Sequence, residues 1–235
     1  KTKSLIIDQT LNKRDPIPPA ESKALNVRGI FRPIKPISEN PQAVLDFWFS
    51  LRRPGKKDDG RVRESLGGPY ERAARGDLDG WAQTPRERLA LILLLDQAPR
   101  HLFRDHARAY ATDGQAAALT AMFMEHGHWG DFTPLEIFYA THPWLHSEDA
   151  QLQARINPVY HLIAPQLPGL EYMARTADLY LDTLRRFGRF PHRNALLGRA
   201  STAEETRFLS EEWGKRRRTT WDCPLARRNP FLPPA

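Results

Sequence analysis

Apolar residues recur along the middle of this chain at helical spacing, in blocks separated by short polar breaks marked by glycine and proline. The strongest block, Leu89 to Leu95, lies in a segment predicted helical from Pro85 to about Ala98. Thr84 stands at its N-cap and Pro85 at the first helical position, where a missing N–H costs nothing. Glu87 completes a capping box, and Pro99 is expected to end the helix. Thr133-Pro134-Leu135-Glu136 repeats the device, and Ser201 or Thr202 with Glu204 and Glu205 starts a third helix that ends near Trp213-Gly214. Gly127 and Gly188 stand where C-terminal caps belong. Val44 to Phe49 suits a core helix with a wide apolar face. Glu148 to Ala164 forms another, bent or interrupted at Pro158, and Glu171 to Phe187 one more. No period-2 strand or hairpin turn stands out, so the pattern predicts an all-α array of antiparallel helical hairpins over residues 41–214.

The ends read differently. Pro16, Pro19, Pro33 and Pro36 break residues 1–40, and Pro224, Pro230, Pro233 and Pro234 break residues 215–235, so both are expected to be extended arms. The net charge of +7 concentrates there: eight Lys/Arg against four Asp/Glu in 1–40, and six against one in 215–235. Lys215, Arg216, Arg217 and Arg218, followed by Trp221, Arg227 and Arg228, are candidates for binding an acidic protein surface, anionic lipid or RNA. The lone Cys223 excludes an internal disulfide and fits a reducing compartment, and no apolar run is long enough to span a bilayer. The first residue, Lys1 rather than Met, fits removal of a targeting segment.

Several segments together resemble a bacterial family, domain-of-unknown-function family 924. They are Val44 to Phe49, Leu78-Asp79-Gly80-Trp81, Thr84 to Gln97, Ala107 to Asp113, His146-Ser147-Glu148-Asp149, and Phe187 to Asn194 with Leu197-Gly198-Arg199. The resemblance runs from about Pro41 to Trp213 and implies a TPR-like all-helical fold, with no established chemistry attached. The chain departs from the family pattern at Ala98, where an aromatic is usual, and at His101, often Asn. It departs again at Ala154, usually Glu, and at Tyr180, where a His is typical.

A polar constellation of Asp96, Arg100, Arg104, His146, Glu148, Asp149, Arg189, His192 and Arg193 has two readings. It can form a pocket for an anionic ligand, with arginines as bidentate clamps and His146 as an acid–base group. It can equally be a set of caps and salt bridges that lock helix ends, with Ser147 as an N-cap and Glu148 and Asp149 in a first turn. No metal site is expected: His126 and His128 flank a glycine, and Pro143 argues against a shared helical face for His142 and His146. No Gly-x-Ser-x-Gly elbow or Gly-rich phosphate loop appears, Gly67-Gly68 reading as a turn, and no cofactor is expected.

The basic arms and the altered family positions lead to the expectation of a non-catalytic accessory subunit of a large mitochondrial assembly. A respiratory-chain complex is the first choice and a mitochondrial ribosome the second, with other protein subunits as partners and the cytoplasm as the alternative location. The alternative function is a small-molecule-binding protein or enzyme that uses the Arg/His/Glu/Asp pocket.

Overall fold

The computed structural model describes residues 40–213 other than Arg53 and His128, and among them every regular element is helical. The expected arms, with Lys215 to Arg218, Trp221, Arg227 and Arg228, lie outside the described residues, Asn40 apart. The main helices are α1 (Pro41–Ser50), α2 (Asp59–Ala74), α3 (Pro85–Ile92), α4 (Ala98–Leu102), α5 (Asp113–His126), α6 (Pro134–His146), α7 (Ala150–Ile163), α8 (Met173–Phe187) and α9 (Ala203–Arg207). Consecutive long helices pack on one another, α5 on α6, α6 on α7 and α7 on α8, while α3 meets α1, α5 and α6. Gly67 and Gly68 lie inside α2 rather than in a turn.

The helix starts follow the capping chemistry. Thr133 Oγ1 accepts from the Glu136 N–H at 3.3 Å while Glu136 Oε2 accepts from the Thr133 N–H at 2.9 Å, and Thr202 with Glu205 closes the same reciprocal box. At α3 only half of it forms: Thr84 Oγ1 accepts from the Glu87 N–H, but the Glu87 carboxylate accepts from the Thr84 hydroxyl rather than from its N–H. Gly127 and Gly188 end α5 and α8 at φ 64° and 67°, a left-handed conformation that glycine reaches without a Cβ clash.

Pro99 does not end the central helix. The backbone loosens into a π-helical turn over Leu93–Gln97 and continues as α4. Proline has no N–H to give the carbonyl four residues back, that of Leu95, and its ring crowds that oxygen in an α-helix. The wider turn relieves the crowding, and the Thr112 hydroxyl donates to the Leu95 oxygen at 2.5 Å. Leu89 to Leu95 are all buried, so this helix is apolar on every side and forms the middle of the core. Arg88, 1% exposed, sits among them because its guanidinium donates twice to the Ala82 carbonyl, at 2.6 and 3.1 Å.

The start of α7 differs from expectation. Asp149, not Ser147, is its N-cap, accepting from the Gln151 and Leu152 N–H groups. Ser147 instead closes α6, so Glu148 lies between the helices, and α7 runs through Pro158.

Candidate functional site

The π turn and the last turns of α6 build the site together. The turn carries Asp96 fully buried, and the Asp96 carboxylate meets His146 Nδ1 at 2.9 and 3.1 Å. Arg100, on α4, reaches back to Asp96 Oδ1 at 3.2 Å and forward to Asp113 at 2.9 Å. Arg193 approaches Asp113 Oδ2, which also accepts from Arg100, at 3.5 Å and lies over the rings of Tyr110 and Phe190. Two carboxylates are thus matched by two guanidiniums, and a charged imidazole is not needed for balance.

Burial opposes ionisation of Asp96, but the charge of Arg100 and the bond from His146 outweigh it and hold the carboxyl well below its usual range. Burial pushes Asp113 the other way, against the pull of Arg100. For His146, burial and then the Arg100 charge lower the pKa, so the imidazole is neutral at pH 7. An ionised carboxylate only accepts, which places the single ring proton on Nδ1 and the lone pair on Nε2.

His142 lies one turn earlier on α6, its ring 4.7 Å from that of His146 and edge-to-face with it. Its Nδ1 is 2.7 Å from the Tyr160 hydroxyl. Burial, followed by the neighbouring His146, pushes His142 down to about 3. The expectation that Pro143 separates these faces is corrected: Pro143 lies inside α6, and the helical spacing of four survives it.

Both imidazoles border a cavity of about 460 Å³ whose wall also includes Gln97, His101, Tyr139 and Tyr180. His101 is fixed like the others, its Nδ1 2.8 Å from Asp59, and burial lowers its pKa. Three neutral histidines therefore face one cavity, each held at Nδ1 by a different partner. No group of three His, Cys, Asp or Glu among the described residues is arranged to hold a metal ion. His128 and the side chain of His126 lie outside the described residues.

Of the nine residues singled out from sequence, Asp96, Arg100, His146 and Arg193 converge in this network. The remaining five do other work. Arg104 forks onto Asp59 at 2.6 and 2.7 Å, and Arg189 onto Glu205 at 2.6 and 2.8 Å. Glu148 accepts both arms of Arg199 and the Phe190 N–H, which ties the α6–α7 corner to the Phe187–Asn194 segment. Asp149 caps α7, and His192 stacks on Trp213 with ring centroids 4.6 Å apart. The arginine forks expected to clamp an anionic ligand are occupied by protein carboxylates. Sequence reasoning does not place Gln97, His101 or Asp113 here, and it separates His142 from His146 at Pro143, although their spacing of four was the available signal.

A family model described as "Bacterial protein of unknown function (DUF924)" matches residues 38–212. The chain belongs to this family. A solved structure titled as a protein of unknown function, ATU0120, from Agrobacterium tumefaciens is 32% identical. The match covers 73% of this chain and 97% of that one, with a TM-score of 0.63. No curated protein matches. These findings overturn the mitochondrial expectation, because the DUF924 family is described as bacterial and the solved relative comes from a bacterium. Basic, proline-rich arms report how a chain associates and stays soluble, and carry no address by themselves.

Proposed function

We propose that this DUF924 protein is an enzyme that binds a small molecule in the 460 Å³ cavity and uses Asp96 and His146 as its acid–base pair. The carrying observation is the neutral His146 imidazole, anchored at Nδ1 by a fully buried carboxylate and bordering a cavity of ligand size. Asp96 sets the tautomer. When Nε2 takes a proton, the carboxylate at 2.9 Å stabilises the imidazolium, and Arg100 keeps Asp96 ionised while it does so. The described wall residues include no serine or cysteine, and the Thr176 hydroxyl donates to the Tyr172 carbonyl. A proton taken by His146 Nε2 comes from the substrate itself or from an attacking water. His142, with its pKa near 3, stays neutral beside His146 and adds no competing charge.

The test is depletion of compounds from a bacterial small-molecule extract, followed by mass spectrometry with the wild-type chain and with His146→Gln. The wild type consumes at least one compound, and His146→Gln does so about 10²- to 10⁴-fold more slowly. Equal consumption of every compound by the two proteins contradicts the proposal.

A further inference from the structure

His142 and His146 present opposite hydrogen-bonding ends to the histidine cavity. The Asp96 carboxylate only accepts, so the His146 proton sits on Nδ1 and Nε2 carries a lone pair. The partner of His142 is a hydroxyl, which can donate. The Tyr160 oxygen lies 2.7 Å from His142 Nδ1 and 3.5 Å from the Phe138 carbonyl oxygen. A hydroxyl donates to oxygen at about 2.5–3.0 Å, so the Tyr160 proton goes to Nδ1 and not to Phe138. Burial keeps Tyr160 an un-ionised phenol, able to make that donation. Nδ1 is then the acceptor, and the proton of the neutral His142 ring lies on Nε2. Among the described residues His142 Nε2 has no hydrogen-bond partner, yet it is not shut away from solvent, so it opens onto the cavity that the ring borders.

The wall thus carries a donor, His142 Nε2–H, one helical turn from an acceptor, His146 Nε2, with the ring centroids 4.7 Å apart. A substrate that answers both has an acceptor oxygen and a removable proton a bond or two apart. A carbonyl with hydrogen on the neighbouring carbon is such a group, and a neutral imidazole polarises a carbonyl without itself changing charge. Arg52 apart, the side chains on the wall carry no charge at pH 7. Asp96 and Asp59, which hold two of the histidines, are paired with Arg100 and Arg104. Such a wall suits an uncharged compound.

Resting on the acid–base reading, we infer that the substrate is an uncharged carbonyl compound whose oxygen accepts from His142 Nε2–H while His146 Nε2 removes a proton from the adjacent carbon. The C–H electron pair becomes a C=C bond, the carbonyl π pair moves onto oxygen, and His142 holds the resulting enolate oxygen. His146, now an imidazolium, returns a proton to carbon, so the step consumes no other reagent.

The experiment is incubation of a bacterial small-molecule extract with the full chain in D₂O, followed by return to H₂O and mass spectrometry of the deuterium kept on carbon. The wild type places deuterium beside the carbonyl of at least one uncharged compound faster than it enters in the protein-free extract. His142→Leu combined with Tyr160→Phe removes both members of the buried pair and leaves no unmet hydroxyl. It slows the exchange about 10²- to 10³-fold, the effect of losing one oxyanion donor. His142→Gln, whose amide oxygen can meet Tyr160 while its N–H group serves the carbonyl, slows it less. Circular dichroism checks that both variants are folded, and a long-range ¹H–¹⁵N spectrum of the wild type shows the His142 proton on Nε2. A proton on His142 Nδ1, or exchange that the double variant leaves unchanged, overturns the inference. His146-dependent consumption only of compounds without a carbonyl, or only by hydrolysis, sinks the carbonyl assignment and leaves the acid–base reading standing. Neither exchange nor consumption by the wild type sinks the acid–base reading and this assignment with it.

Discussion

Asp96 Oδ1 stands 2.9 Å from His146 Nδ1, a contact made across fifty positions of sequence by a π turn and the end of α6. Two local departures from regular helix make it. A proline widens one helix just where the carboxylate sits, and Ser147 stops the other directly after the histidine. π turns occur often at functional sites because they re-aim one side chain within an otherwise rigid helix.

Asp96→Asn is expected to lower stability by about 3–5 kcal/mol, because Arg100 keeps its charge in a buried site and loses one of its two carboxylates. Urea unfolding followed by circular dichroism measures it. A loss below about 1 kcal/mol would mean that the Arg100–Asp113 pair suffices alone.

Thr112→Val tests the π turn itself. The Leu95 oxygen, which Pro99 cannot serve, loses the Thr112 hydroxyl, and a buried carbonyl that loses its donor costs about 1–3 kcal/mol. The same substitution at exposed Thr206, whose hydroxyl also donates to a backbone carbonyl four residues back, is expected to stay within about 0.5 kcal/mol.

Acid sensitivity should begin near pH 6.5. His142 titrates near 3 when folded and near 6.5 when unfolded, so below pH 6.5 the unfolded chain binds the proton first. Stability is full above pH 6.5 and falls as pH drops, by up to about 1.4 kcal/mol per pH unit for this group. His101 and His146 are shifted in the same direction and add to the slope. His142→Gln, which can still meet Tyr160, is expected to flatten the curve between pH 6.5 and 5; an unchanged slope would contradict the buried neutral assignment.

Glu148→Ala is expected to destabilise by about 2 kcal/mol, since it removes the Arg199 fork and the acceptor of the Phe190 N–H together. A loss within about 0.5 kcal/mol in urea unfolding would contradict the role of Glu148 as the tie between these segments.

The helices were legible in the sequence where their causes are local. Thr133-Pro134 with Glu136, Thr202 with Glu205, and the glycines at 127 and 188 each act within one turn, so their spacing alone places them. The π turn was not legible, because what makes it tolerable is Thr112, seventeen residues beyond Leu95. The candidate site was half legible. Asp96, Arg100, His146 and Arg193 were found as residue types at helix ends, but sequence carries no sign of which arginine meets which carboxylate. Arg104, Arg189 and Glu148 therefore looked like pocket residues while forming structural pairs. Asp113 carries no local sign of its role, which depends on Arg100 and Arg193 arriving from elsewhere. Pro143 argues in the sequence against a shared face for His142 and His146, yet α6 accommodates this proline near its end.

The most direct measurement is a long-range ¹H–¹⁵N correlation spectrum of the imidazoles at pH 7, with His146 assigned by comparison with His146→Gln. The account predicts a neutral His146 ring with its proton on Nδ1 and an unprotonated Nε2. A doubly protonated ring, or a proton on Nε2, would contradict the role of His146 as a base held by Asp96.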